Sequence, residues 1–475
     1  MAARLAEGLK KTEERQAERS RSISLRSLIN EVFTIELLLH ARCFDCAQHD
    51  VLLHFRIMLI SYLKIAWKVL LRRKFFTAIS LFGISFTLMI LLVVYSMYDF
   101  TVGPQMPEKR LDRLLFTSQL ALWAPQTSNV TSPSYSFLEH YIRPLRTPEK
   151  VSVSTGGGST VVYVGNTKLK LDQKNTDGEF WQILDFEFLE GRPYTVAEVR
   201  AAAHLVVMNE SSARNYFGTA RGVVGRRIIT DEISYQVVGV VRDVPAARRY
   251  SYADVWMPIT TSNEDIHNDD YMGSCMAIML ARSADDIPAI RREFAQAVAH
   301  APLPTAMYKW CKEVRLYAGS LLATTVRTEI GNFGPDDGVG RFRQMAGGLL
   351  LLFMLLPALN LVNINISRIR DRSSEIGVRK AFGATSGALI GQFLVENVFL
   401  TLLGGVLGLG LAAGALHLIN SSGLVAYTQF GLNGRVFMGA VGAILFFGVL
   451  SGVYPAYKMS KLQAVKALKG EGNSI

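Results

Sequence analysis

Few residues in this chain are spaced for chemistry. Cys43, Cys46 and His49 form a CxxCxxH run whose thiolates and imidazole could ligate a metal. No second ligand pair of matching spacing follows it, so no metal site is expected. His140 and His204 stand alone, no nucleophile elbow is present, and no carboxylates cluster at metal-like spacing. No catalytic residue and no cofactor-binding residue is therefore expected, and a membrane enzyme has no residues in its support. Cys275 and Cys311 could bridge in an oxidising compartment, but spacing does not establish proximity. Glu396 is the one formal charge inside a long apolar window. An intramembrane carboxylate suggests ion handling. This one lies about two turns from a basic loop that its side chain could reach, and a structural role is expected. No GxxxxGKS or GxxxxGKT run occurs in the 475 residues, so they contain no phosphate-cradling loop.

The informative segment runs from Ser367 to Thr385, SRIRDRSSEIGVRKAFGAT. It is short, strongly basic and set between two long apolar stretches. Lys and Arg resist translocation and hold such a loop on the cytoplasmic face, where a cytosolic partner can reach it.

The elements that position this loop follow from where the apolar residues lie. The formal net charge is +11 and hydrophobic residues make up 49% of the chain. The apolar residues are clustered in four windows, 75–97, 345–366, 389–419 and 436–457, each of about 20 residues or more and able to cross a bilayer core as a helix. Basic clusters flank them: Lys64, Lys68, Arg72, Arg73 and Lys74; Arg368, Arg370, Arg372, Arg379 and Lys380; Lys458, Lys461, Lys466 and Lys469. All three favour the cytoplasm, which requires an even number of crossings and both termini inside. The expected fold class is an α-helical membrane protein with four transmembrane helices, one and then three, and a large α/β extracytoplasmic domain between the first and second. With the positive charge placed at membrane flanks, lipid is an expected partner and nucleic acid is not.

The expected organisation begins with residues 1–57, a poorly ordered extension upstream of a start at Met58. These residues lack the apolar core and cleavage site of a signal peptide. Residues 58–74 form an amphipathic helix in the headgroup plane, with Ser61, Lys64, Lys68 and Arg72 on one stripe. The first crossing is 75–99, the outside domain 100–340, the second crossing 344–366, the cytoplasmic loop 367–386 and the third crossing 388–419. An external turn, 420–435, the fourth crossing, 436–457, and a cytoplasmic tail, 458–475, complete the chain.

Within the outside domain, Ser132 and Pro133 are expected to start a helix. Thr160 to Leu171 alternates around Gly165 and Asn166, a hairpin signal. Asn209 to Phe217 reads as a short helix stopped by Gly218, and Ile228 to Val241 as two strands about Asp231 and Glu232. Ile287, Ile290, Phe294 and Ala297 set an amphipathic helix capped near Asp286. In the last third, Gly404 with Gly408, Gly410 with Gly414, and Gly448 with Gly452 recur at four-residue spacing. Such small residues suit close helix packing between crossings or across a dimer, although glycine is common in spanning helices generally.

The run Glu375, Ile376, Gly377, Val378, Arg379, Lys380, Ala381, Phe382, Gly383, Ala384 resembles the EIGVRKALGA motif of MacB/FtsX-type ABC transporter permeases. So do Gln392, Phe393, Leu394 and Glu396 downstream, and Tyr454, Pro455, Ala456 followed by Lys461, Leu462, Ala464, Val465, Ala467 and Leu468. The outside domain is similar to that family's periplasmic core domain at Asp185, Phe186, Phe188 to Pro193, at Val207, Asn209 and Glu210, and at Val237 to Val241, Asp243 and Val244. The likeness covers Met58 to Gly470. It implies a bacterial inner-membrane permease, a homodimer or a heterodimer with a related permease, that docks a separate cytoplasmic ATPase. That partner would bind the ATP, and Glu375 to Ala384 would be the coupling helix. The outside domain would engage a periplasmic adaptor or cargo and act by mechanotransmission. The alternative within the same family is an FtsX-like scaffold that regulates a cell-wall hydrolase. The chain departs from MacB in having no fused ATPase within these residues.

Overall fold

The computed structural model describes residues 74–460, apart from 263–265, 267, 332–333, 372–376, 379–381, 384 and 425–426, together with Trp67 and Leu71. These fall into two compact units. One comprises residues 81–360 and 403–447, and the other the described residues of 1–80, 361–402 and 448–475. The long helices are α1 (Lys74–Val102), α2 (Glu210–Phe217), α3 (Ile287–His300), α4 (Leu321–Ile330), α5 (Val339–Asp371), α6 (Ser386–Ser421) and α7 (Gly434–Ser460). The strands are β1 (Leu114–Thr117), β2 (Leu120–Ala124), β3 (Thr127–Pro133), β4 (Lys150–Thr155), β5 (Gly158–Val164), β6 (Thr167–Thr176), β7 (Phe188–Gly191), β8 (Leu205–Asn209), β9 (Arg227–Thr230), β10 (Ile233–Val241), β11 (Val255–Pro258), β12 (Met272–Gly273), β13 (Cys275–Leu280) and β14 (Glu313–Leu316).

The main sheet runs β1-β13-β4-β6-β11-β8-β10-β7, with β5 added to β6 and β9 to β10. A smaller sheet runs β12-β3-β2-β14. The strands β11 and β13 are apolar and buried at every position because both faces are covered. In β8, Val207 faces one core while Val206 and Met208 face another, and in β11 Trp256 parts in the same way from Val255 and Met257. The first core is aromatic. Trp181 lies 5.4 Å from Tyr194 and 6.0 Å from Trp256, edge to face, and Ile290, Phe294 and Val298 of α3 pack onto the same cluster. The second core gathers Val162, Leu171, Ile228, Tyr235 and Val237, as β5, β6, β11, β8, β10 and β9 curl around it. There β5 meets β9 through side chains: Thr160 Oγ1 bonds Thr230 Oγ1 and lies 3.2 Å from Asp231 Oδ2.

Local chemistry sets the turns. Val164 pairs with Thr167 across Gly165, whose φ is 60°. Asp231 and Glu232 both adopt positive φ, 48° and 65°, the mirror-image turn that matches strand twist. Asn209 caps α2 by accepting from the Ser212 N–H at 2.8 Å, and Gly218 ends it at φ 78°. Other expectations are corrected. Pro133 closes β3 opposite Met272, so the helix start moves to Ser134, whose Oγ accepts from the Phe137 N–H. In α3 the third buried residue is Val298, because the row in steps of four from Ile290 points inward and Ala297 sits at its edge.

Each of the four apolar windows lies in one helix, extended beyond the expected limits where caps allow. Asp337 Oδ1 accepts from Val339 N–H at 3.0 Å at the start of α5, and Asn433 Oδ1 from Val436 N–H at 3.0 Å at the start of α7. Thr77–Val102 and Leu389–Ser421 are long and apolar enough to cross a membrane, and Gly434–Phe446 is a shorter apolar helix. In the second unit, the Trp67 ring lies 6.3 Å from that of Phe399. Apart from Trp67, Leu71 and Lys74, the expected 58–74 helix, the 1–57 extension with Cys43, Cys46 and His49, and the tail beyond Ser460 lie outside the described residues. Cys275 and Cys311 are both buried and are not joined in a disulfide, and Cys311 Sγ lies 3.5 Å from the Glu313 carbonyl oxygen.

Candidate functional site

The basic loop is described in part. Glu375, Ile376, Arg379, Lys380, Ala381 and Ala384 lie outside the described residues. Gly377 and Val378 are helical, and the Phe382 N–H donates to the Val378 carbonyl at 3.0 Å, so a helical turn persists between α5 and α6. Gly383 then takes φ 90°, a conformation that favours glycine. Phe382 is 88% exposed, an apolar ring on an otherwise basic loop. Glu396 is buried beside Gln392 and Asn397 on α6.

The paired glycines divide by face. A Cβ on Gly404 would come within 2.6 Å of Ile84, and one on Gly408 within 3.0 Å of Leu88 Cβ and the Ser85 carbonyl, so these two bring α6 against α1. Gly410 and Gly414 do not join them. They point more than a quarter-turn away, and no described atom would meet a Cβ at either. Gly448 and Gly452 lie within α7.

A second constellation, not anticipated from the sequence, lies where the outer end of α1 meets the α/β domain. Arg248 and Glu108 are fully buried and 3.1 Å apart. Arg248 Nη2 donates to the carbonyls of Phe100, at 2.6 Å, and Gly103, at 2.7 Å, the unpaired acceptors at the end of α1. Glu108 Oε1 accepts from Ser251 Oγ at 2.8 Å. Lys174, also fully buried, donates to the Thr155 and Arg249 carbonyls, each at 3.2 Å. Burial pushes its ammonium down to about 7, against the opposing pull of Glu108 and with the help of Arg249. A cavity of about 210 Å³ separates Arg248, Arg249 and Tyr250 from Thr324, Thr325 and Thr328 of α4.

The turn between α6 and α7 joins the same place. Asn433 Nδ2 and Arg435 Nη1 donate to the Asp99 carboxylate at 2.5 and 3.3 Å. Ser96 Oγ donates to the Gly431 carbonyl at 3.0 Å, and the Phe100 and Phe430 rings lie 5.0 Å apart, edge to face. Tyr427 takes φ 55°, rare for an aromatic residue. Its hydroxyl is pushed up to about 12 by burial and by the Asp254 carboxylate, and Asn209 and Ser212 also face it. Its ring lies 6.3 Å from that of Tyr252, whose hydroxyl donates to Asp172 at 2.6 Å.

The isolated histidines lie at the surface: His140 Nδ1 is 2.9 Å from the Ser136 carbonyl oxygen, and His204 meets the Tyr235 ring edge to face at 5.3 Å. Among the described residues no group of three His, Cys, Asp or Glu could hold a metal.

An α/β domain inserted after one apolar helix and followed by three more, with an EIGVRKAFGA loop between the second and third, defines an ABC transporter permease of the type with a large extracytoplasmic domain. Residues 77–297 match the family described as MacB-like periplasmic core domain, and residues 347–464 the FtsX-like permease C-terminal family. The chain belongs to the MacB/FtsX-type ABC transporter permeases. It is 25% identical over 281 residues to the ABC transporter permease YknZ of Bacillus subtilis (strain 168), covering 59% of this chain and 65% of that one. It is 24% identical over 416 residues to the pyoverdine export ATP-binding/permease protein PvdT of Pseudomonas syringae pv. syringae (strain B728a), covering 87% of this chain and 60% of PvdT. The chain thus spans less than two thirds of either relative. The periplasmic region of MacB from Actinobacillus actinomycetemcomitans is similar over 46% of this chain and 94% of that one, at 14% identity and a TM-score of 0.32.

Proposed function

We propose that this chain is the membrane subunit of an ABC system in which a separate cytoplasmic ATPase drives movement of the extracytoplasmic domain, for export or for the handling of lipoprotein or other cargo. In this reading α1, α5, α6 and α7 each cross the bacterial inner membrane, with both termini in the cytosol. A second copy or a related permease completes a dimer, and a periplasmic adaptor or the cargo engages the α/β domain. The apolar surface of α5, exposed at Met345, Leu349, Leu351 and Leu352, suits contact with lipid or a partner crossing.

The observation that carries the reading is the Glu375 to Ala384 motif held between two long helices with Phe382 bare on it. Nucleotide-driven closure of an ATPase that grips this loop would tilt both helices together. ATP is bound outside these 475 residues, which contain no P-loop. Replacing Gly377 and Arg379 is expected to abolish co-purification of the ATPase while membrane insertion stays intact. Unchanged co-purification counts decisively against the reading, and recovery of a cell-wall hydrolase on the outer domain would favour the scaffold role.

A further inference from the structure

We propose that Arg248 is the positioning residue that fixes the extracytoplasmic domain to the outer end of α1, with Tyr427 fixing the same domain to the turn between α6 and α7. The inference deepens the proposed function and rests on it, since it names the contacts through which helix movement would reach the domain.

The geometry is that of a clamp. Arg248 sits in the connection, residues 242–254, between β10 and β11, two strands of the main sheet. Its guanidinium leaves the domain and ends on the carbonyls of Phe100, in α1, and Gly103, just past its end, at 2.6 and 2.7 Å. Its third partner, Glu108, lies on the chain between α1 and β1, so a single side chain ties strand, linker and helix end. A planar fork with several fixed donors suits this task, whereas a lysine, a point charge on a flexible stem, would not span the three acceptors. The connection is backed from within the domain: Lys174 and Trp256 Nε1 hold the Arg249 and Ser251 carbonyls at 3.2 Å each. Tilting α1 without moving the domain would expose a buried ion pair and strand its hydrogen bonds.

Tyr427 supplies the second point. Its backbone is held at φ 55°, and its ring is half-buried against Tyr252 and Asp254, which immediately precede β11. The same turn is bound to α1 through Asp99 and Ser96. A strained aromatic residue of this kind persists when its surroundings over-determine it, and such strain is characteristic of switch and clamp sites.

The test uses the full chain in lipid nanodiscs, with spin-labelled noncanonical residues at Tyr98 on α1 and Arg292 on α3, leaving the native cysteines in place. The wild-type distance distribution is expected to be single and narrow. Arg248→Met is expected to broaden it by about twofold or more, and Tyr427→Ala to a smaller degree, because opening is then local and not global. Backbone amides of β4 and β13 should keep their wild-type exchange protection, which a residue that merely stabilised the fold would not allow. A distribution as narrow in Arg248→Met as in wild type overturns the proposal. Should that variant lose protection in β4 and β13, Glu108→Gln, which keeps the shape and removes the charge, decides by the same width. Adding the ATPase with a non-hydrolysable ATP analogue separates the two ideas. An unmoved wild-type distance sinks the reading of the chain as a transmitter of motion, whereas the clamp stands or falls on the nucleotide-free widths.

Discussion

Lys174 shows what single residues contribute that sequence inspection misses. It stands in β6 with its Nζ fully buried, facing Glu108, Arg249 and Cys275 but forming no direct ion pair. Folding lowers its pKa from 10.5 to about 7. Between those values the unfolded chain binds the proton and the folded chain does not, so stability is expected to rise with pH from about 7 to about 10.5 and to level off on either side. Lys174→Met should remove that slope, a difference on the order of a few kcal/mol across the window. Urea unfolding of wild type and variant at successive pH values measures it, and parallel profiles would refute the assignment. Nothing in the local sequence marks Lys174 or Arg248 as buried. Arg248 finds Glu108 140 positions away, and no periodicity or spacing brings such residues together. The EIGVRKAFGA motif is legible because its residues are contiguous in the sequence.

Individual elements could be read wherever a turn residue or a period dictated them. The hairpin about Gly165, the turn at Asp231 and Glu232, and the cap of α2 at Asn209 follow from local backbone chemistry. The helix start displaced to Ser134 was hidden because β3 and its partner β12 claim Pro133, a tertiary pairing. The glycine pairs were visible as spacing, but the face each occupies depends on what lies beside the helix. This gives a direct contrast between Gly408 and Gly410. Gly408→Ala places a methyl 3.0 Å from Leu88 Cβ and the Ser85 carbonyl and is expected to cost about 1–3 kcal/mol by overpacking. Gly410→Ala meets nothing within 4 Å and should be neutral or stabilising by up to about 1 kcal/mol through helix propensity. Thermal unfolding in detergent distinguishes them, and equal melting temperatures would contradict the packing of α6 on α1.

At the scale of the molecule, charge placement gave an orientation, and two exposed aromatic residues allow it to be checked. Phe382 is 88% exposed on the basic loop and Tyr163 is 63% exposed on β5 of the α/β domain. With both termini cytosolic, Phe382→Cys is expected to react with a membrane-impermeant maleimide only in inside-out vesicles, and Tyr163→Cys only in right-side-out ones. Labelling of both from one side would overturn the four-crossing arrangement. The order of the strands was not legible, because β6, β11 and β8 become neighbours across intervening helices and loops that sequence patterns do not connect. That order has a consequence for how the domain withstands damage. Each strand before the Gly165 tip, β1 to β5, is laddered to at least one strand after it: β1 and β4 to β13, β2 to β14, β3 to β12 and β5 to β6. Scission of the exposed tip by a protease would leave two polypeptides woven through one another, still a single folded body and still anchored at either end.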